Sequence, residues 1–413
     1  MASAAPTAPP PRPSQAPPEP NAATVASAGV QPTPPVDLRP KSEILNPKSQ
    51  IHAILNAARW APSGDNTQPW RFEIAGDHHL VIHGRDTRDH CVYDLTGAAS
   101  QIALGALIET LTIAATTQGL TASVTRRPGL PDTQPTFDVA FSGTPTTDGH
   151  APPADRLAPF IEQRVTQRRP MRSTPLSSTQ RHALESALPA GFRVVFLDSF
   201  RDRCRIARLL YRSAYIRLTT PEAFEVHRSV IQWSARESED RIPDMAVGVD
   251  WITRKLMRWT LQSWSRVRFM NRFMAGTILP RVQLDLLPAV RCAAHFFLVA
   301  DQPPRNIDDF VAAGGTLQRF WLTATEQGLL AQPQMTPLIF SQYARAGLRF
   351  TTEPKALALA ADLNTRFTAL LGESTWPRVA FMGRLGVGRH PSSRSTRLPV
   401  EALMQPHAEE AAR

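Results

Sequence analysis

The 413 residues hold 46 Lys and Arg against 36 Asp and Glu, a formal charge of +10, and 42% of them are hydrophobic. That is enough apolar material for one large domain or two ordinary ones. The positive balance selects no partner alone, because Lys41, Lys48, Lys255 and Lys355 are the only lysines and so wide an Arg bias follows codon composition as readily as ligand choice. Cys91, Cys204 and Cys292 are odd in number and form no CxxC pair, which argues against a disulfide framework or structural zinc and fits a reduced, cytoplasmic chain.

Residues 1–40 contain twelve of the 38 prolines and few large apolar side chains, so they are expected to be a disordered Pro/Ala-rich segment. A start codon assigned too far upstream explains them equally well. They offer no signal-peptide core. Further on, the most apolar stretch, 284–300, is broken by Asp285, Pro288, Arg291 and His295. No uninterrupted run reaches the roughly 18 to 20 residues of a membrane-spanning helix, and no transmembrane segment is expected. Helix-turn-helix, P-loop, GxGxxG and zinc spacings are absent or unconvincing, and His78, His79 and His83 follow a strand pattern, so neither nucleic acid nor metal is expected as a ligand.

The periodicity predicts a helix at 51–59 and a strand at 70–74, then an apolar helix within 103–120 and a short strand around Val139-Ala140-Phe141. The same order returns later: helix 181–188, strand 192–197, helix within 312–329, strand around Val379-Ala380-Phe381. At an offset of 209 residues the segments 103–120 and 312–329 share seven identities, among them Gly105/Gly314, Gln118/Gln327, Gly119/Gly328 and Leu120/Leu329. The chain is therefore expected to be α+β, with a first half at 41–155, a second at 156–405 and a tail at 406–413.

The chemistry concentrates in three places. In 58–72, ARWAPSGDNTQPWRF, Pro62 stops the helix, Ser63 to Asn66 form a polar turn, and Gln68-Pro69-Trp70 re-enters a strand. At 167–174, QRRPMRST sets Arg168, Arg169 and Arg172 around Pro170, and guanidinium forks in such number suit a phosphate dianion. At 394–399, RSTRLP adds Arg394 and Arg397.

The first string closely resembles the APS-x-x-N-x-QPW signature of nitroreductase-like flavoproteins. The second is similar to that family's R-x-S-x-[KR] phosphate segment, and the third to its terminal K-S-R-x-P. Pro170 stands in place of a serine and Ser395 in place of a lysine. The resemblance covers roughly 45–400 and implies a nitroreductase-like fold that binds FMN. It implies that Pro62, Ser63, Gly64, Asn66 and Gln68 address the flavin ring, helped by backbone groups of 333–337. Arg168, Arg169, Arg172, Arg394 and Arg397 would hold the phosphate, and no side chain is assigned a catalytic role because the flavin does the chemistry. Ordinary members build the site between two identical subunits. Here the turn is in the first half and the phosphate segments in the second, like the duplicated, Acg-like branch, which implies two tandem half-repeats folded as a monomeric intramolecular pseudo-dimer. The implied activity is hydride transfer from NAD(P)H through FMN to a small acceptor such as a nitro or quinone compound.

Residues 225–283 have no counterpart in the first half. Their basic, aromatic stretch at 251–274 reads as an amphipathic helix, expected to act as a lid over the cavity. The second reading is a chain that holds FMN with little turnover, peripheral to a membrane through 251–274.

Overall fold

The computed structural model describes residues 46–143 and 153–405, and the expected disordered segment 1–40 and tail 406–413 lie outside that description. Helix α1 (Pro47–Ala58) starts on an Asn46 side chain that accepts from Lys48 N, with proline at its first position. Strands β1 (Trp70–Gly76) and β2 (His79–Gly84) follow, then helix α2 (Ala98–Thr116), then β3 (Leu120–Arg126) and β4 (Thr136–Gly143). They form an antiparallel sheet ordered β1-β2-β4-β3. Asp94 secures the start of α2, accepting from Ala99 N at 2.7 Å and from Ser100 Oγ at 2.6 Å.

After α3 (Ser178–Ser186) and β5 (Phe192–Leu197) the chain leaves on a long excursion. It runs through α4 (Phe200–Thr219), α5 (Pro221–Val230), the two-residue strands β6 (Ile231–Gln232), β7 (Glu237–Ser238) and β8 (Ile242–Pro243), and then α6 (Trp251–Thr260), α7 (Trp264–Phe273), α8 (Ile278–Arg281) and α9 (Leu287–Val290). It returns at β9 (Ala294–Ala300), α10 (Ile307–Glu326), β10 (Leu330–Pro333), α11 (Thr336–Arg345), α12 (Pro354–Leu371) and β11 (Val379–Gly386), and ends with β12 (Arg394–Ser395) and α13 (Val400–Leu403). The second sheet is antiparallel and ordered β5-β9-β11-β10. Element for element, that is the order of the first sheet. The architecture is α+β.

The two sheets meet through α2 and α10. A Cβ on Gly105 would collide with the carbonyl oxygen of Val311, and one on Gly314 with that of Ile102. Gly105 and Gly314 are 209 residues apart, and so are Ile102 and Val311. Each helix thus presents the same residue to the same place on the other, the reciprocity of a two-fold contact. Past the helices, Gly119 and Gly328 take φ of +68° and +69°, the left-handed conformation in which glycine ends a helix without strain.

Several expectations are corrected. Helix α2 is apolar and long enough to cross a bilayer by length and composition, with a mean hydropathy of 1.5 in its best window, a feature missed because Gln101, Glu109 and Thr110 interrupt the run. It is a core helix here, since 72% of that window is buried. No boundary falls at 155/156, because Leu157 and Ile161 pack in the core of the first sheet beside α1 and α2. Val400 and Leu403 join the same core, and Gln405 N donates to Phe72 O, so the end of the chain crosses back to the first sheet. The excursion spans 198–293 rather than 225–283, because α4 already belongs to it. Its stretch 251–274 is two helices, the second capped by the Ser263 side chain accepting from Arg266 N.

Candidate functional site

The turn after α1 is built under strain. Asp65, Asn66 and Gln68 have φ of +49°, +65° and +46°, three non-glycine residues in the left-handed region within four positions. Hydrogen bonds hold it there. Ser63 Oγ accepts from Gln68 N at 3.0 Å, and Gln68 Nε2 donates to Glu239 O at 2.8 Å while its Oε1 accepts from Leu398 N at 3.0 Å. Asn66 Nδ2 donates to Glu239 O at 2.9 Å and Thr396 O at 3.2 Å. The excursion and the C-terminal segment therefore clamp the turn from outside. Asn66 Oδ1 is buried with no partner, an unmet acceptor that a ligand donor would satisfy.

This turn forms one wall of a cavity of about 590 Å³, a size suited to a cofactor. Pro62, Ser63, Gly64, Asp65 and Asn66 line it together with Arg164 to Thr166, Arg168, Gln332 to Pro337 and Ser393 to Ser395 with Arg397. The excursion closes over it: Met257 and Leu261 from the α6 region, and Val267 and Met270 from α7, face the same space.

Three guanidinium groups make that wall cationic. Arg164 and Arg397 are 4% and 8% exposed. Arg164 donates to Trp60 O at 2.9 Å and lies over the Trp321 ring at 4.5 Å. Arg397 donates from Nε to Ala61 O at 3.0 Å, and Arg394 donates to Glu162 O at 3.0 Å while covering Trp60 at 4.6 Å. Their acceptors are carbonyls; among the described residues none of the three has a carboxylate within ion-pair distance. Burial pushes all three down, Arg397 to about 9, and the neighbouring cations add to the depression of Arg164 and Arg397. The Nε atoms of Arg164 and Arg394 are buried without partners. Like charges crowded together with donors to spare form a site for an anion. Arg168 is also lowered by burial, and the Asp65 carboxylate opposes that shift, as Glu162 and Glu237 oppose that of Arg394.

Residues 43–101, the segment that carries the turn, match the family model described as Nitroreductase family. That segment is nitroreductase-like. Along 92% of its length it is 25% identical to Uncharacterized protein MT1398 of Mycobacterium tuberculosis (strain CDC 1551 / Oshkosh), over half of that protein. It thus spans about half the length of the curated relative it matches. Among solved structures it is similar to a nitroreductase-like family protein from Bacillus cereus, at 11% identity and a TM-score of 0.31, over 62% of this chain and 97% of that one. A nitroreductase with bound FMN from Bacteroides fragilis NCTC 9343 aligns at 11% identity and a TM-score of 0.26, over 57% and 89%. Iodotyrosine deiodinase, bound to FMN and 3-iodo-L-tyrosine, aligns at 12% identity and a TM-score of 0.29, over 59% and 95%.

The structure sorts the expected site residues. Pro62, Ser63, Gly64, Asn66, Arg168, Arg394 and Arg397 line the cavity, as does the 333–337 segment. Gln68 does not; it is fully buried behind the turn, where its amide ties three backbone segments together. Arg169 and Arg172 are exposed and lie off the cavity wall. Between them Met171 is buried against Cys292 and Leu330, and Arg172 N donates to Val387 O at 2.7 Å, which fixes the backbone while both guanidinium groups stay in solvent.

Arg164 was missed, although it sits four residues before Arg168 in the same basic run. Tyr93 and His227 were missed too. Both line the cavity, and the Tyr93 hydroxyl is 3.0 Å from His227 Nε2. Burial first, then Arg217, lowers His227 to about 3, so its ring stays neutral, and burial raises Tyr93. Beside them Arg217 and Asp285 form a largely buried ion pair. The tyrosine and histidine lie 134 positions apart, and no local pattern could have joined them.

Proposed function

We propose that this chain is an FMN-dependent oxidoreductase that passes hydride from NAD(P)H through flavin to a small acceptor such as a nitro or quinone compound. The observation that carries it is the buried pair Arg164 and Arg397, with no carboxylate within ion-pair distance among the described residues, flanked by the half-buried Arg394 and lying beside a strained turn whose Asn66 Oδ1 has no partner. A phosphate dianion satisfies the first and a ring N–H the second, so the donors and acceptors present fit a flavin mononucleotide. Bound there, FMN would supply the two-electron chemistry that protein side chains lack.

The chain's own residues bind, orient and exclude water. Arg164, Arg394 and Arg397 would take the phosphate, and Ser63 and Asn66 would set the ring. Arg168, countered only by Asp65, would favour negative charge in the cavity. Met257, Leu261 and Met270 would keep water out. Tyr93, sharing a hydrogen bond with a neutral His227, would offer the acceptor a proton-sharing contact. In this account the two sheet regions play the parts that two subunits play in ordinary members, giving a monomer with one flavin, because only the first region has the turn.

The test is reconstitution of the purified chain with FMN, then anaerobic addition of NADPH or NADH. One equivalent of bound FMN that loses its yellow absorbance supports an oxidoreductase. Absence of FMN binding overturns the assignment, and two equivalents overturn the single-site arrangement. A second reading, a chain that holds FMN with little turnover, draws on the closure of the cavity by α6 and α7; it predicts bound flavin that neither nucleotide reduces.

A further inference from the structure

The excursion has an outer surface as unusual as its inner one. Among the described residues thirteen large hydrophobic side chains are exposed, and nine of them fall between Trp251 and Leu279. Trp251, Ile252, Leu256 and Trp259 are 40–60% exposed, and at 3.6 residues per turn they share one face of α6. Phe269, Phe273 and Met274 are 49–65% exposed on and just after α7. Scattered apolar residues are ordinary on a soluble surface, but a concentration of this kind marks a contact site.

The charge around it is one-sided. Residues 251–274 contain Arg254, Lys255, Arg258, Arg266, Arg268 and Arg272 and not one Asp or Glu. Elsewhere several arginines pair with carboxylates, as Arg126 does with Asp308 and Arg212 with Asp362. Here only Arg254 has such a partner among the described residues, Asp244 at 3.5 Å. Other cations lie over aromatic rings instead: Lys255 over Trp251 at 4.9 Å, Arg266 over Trp259 at 4.8 Å, Arg272 over Phe273 at 5.5 Å.

We propose that the outer face of α6 and α7 docks on an anionic bilayer surface. Apolar and aromatic side chains enter the boundary between headgroups and acyl chains, while the interleaved cations meet the anionic headgroups. A second copy of this chain fits the face poorly, because a two-fold contact would set six cations against six. Leu256, Met274 and Leu279 are exposed and also line the cavity, so docking here sets the rim of the cavity against lipid.

The full chain is mixed with vesicles of phosphatidylcholine alone, or of phosphatidylcholine with phosphatidylglycerol, and floated through a density gradient. Binding is expected only to the anionic vesicles and should fall as salt is raised. Lys255→Gln and Arg268→Gln, neither in the cavity wall, should each weaken it roughly fivefold. Trp251→Ser with Phe273→Ser should weaken it at every salt concentration. Thermal melting checks that the variants fold, and their FMN content, measured separately, should be unchanged, so this proposal and the flavin assignment fail independently. Absence of vesicle binding, equal binding to both vesicles, or unchanged binding by the Gln variants would overturn it. So would self-association that the serine variants abolish without any lipid binding.

Discussion

The sheet of β1 to β4 and the sheet of β5, β9, β10 and β11 have the same strand order, yet they live in different surroundings. In β3, burial alternates along the strand from Leu120 to Arg126, as in a sheet with one face toward solvent, whereas β9 and β11 are buried at every residue. The cause is in the connections. β1 and β2 are joined by two residues and β3 and β4 by nine, but the corresponding links in the second region are 198–293 and 334–378. Those links fold into α4, α11 and α12, which pack on the face of the second sheet that α3 and α10 leave uncovered. The shared framework is thus the sheets and their crossing helices. What differs, and what closes the cavity, lies in the links between strands, where extra chain does not disturb the core.

The sharpest way to break the comparison is at the helix crossing. Gly105→Ala and Gly314→Ala should each cost about 3 kcal/mol, because the new methyl meets a backbone carbonyl that cannot rotate away. Urea denaturation measures this, and a large loss at one glycine with none at the other would end the reciprocity.

Cofactor binding should be lopsided between the regions. Removing one charge-assisted contact costs about 1.5 to 3 kcal/mol, so Arg397→Ala or Arg164→Ala should weaken FMN roughly ten- to hundredfold. Riboflavin, which lacks the phosphate, should be little affected. Asn66→Ala should weaken both flavins alike. An unchanged FMN-to-riboflavin affinity ratio in the arginine variants would remove the phosphate assignment.

Acid should strike the second region. His295 is fully buried in β9, its Nδ1 2.9 Å from Gln334 Oε1 and its Nε2 3.0 Å from Ala289 O, and burial lowers it from 6.5 to about 4. Between those values the unfolded chain takes up a proton that the native one refuses, so stability falls as pH falls from 6.5 toward 4. By pH 5 its share of the loss is about 2 kcal/mol, and His295→Gln should reduce the slope in melts at pH 7 and pH 5 by that share, leaving the part due to His227, which burial also lowers. A slope unchanged in the variant would place the sensitivity elsewhere.

The smallest effect is the control at the crossing. A Cβ on Gly315 meets nothing closer than Glu109 Oε2 at 3.7 Å, so Gly315→Ala should be neutral or stabilising by up to about 1 kcal/mol. Destabilisation comparable to that of Gly314→Ala would mean that helix flexibility, rather than close approach, is what the crossing needs.

The local sequence determined whatever depends on neighbouring residues. Pro62 after a helical run, the polar residues at 63–66 and the re-entry at Gln68-Pro69-Trp70 specify a turn wherever the chain places it. The 209-residue offset gave away the paired helices, because their glycines serve one contact seen from two sides. Only the tertiary structure decided which arginines face inward, since Arg168 and Arg169 are chemically alike, yet Arg168 lines the cavity while Arg169 is exposed. It also made Gln68 a clamp rather than a ring contact, through the Glu239 carbonyl and the Leu398 N–H, 171 and 330 positions away. Tyr93 and His227, and the return of Val400 and Leu403 to the first core, were illegible for the same reason. Residue type and spacing encode backbone preference and which side of an element is apolar, but the partner across the core belongs to another part of the chain, and burial, charge and reactivity follow from that partner.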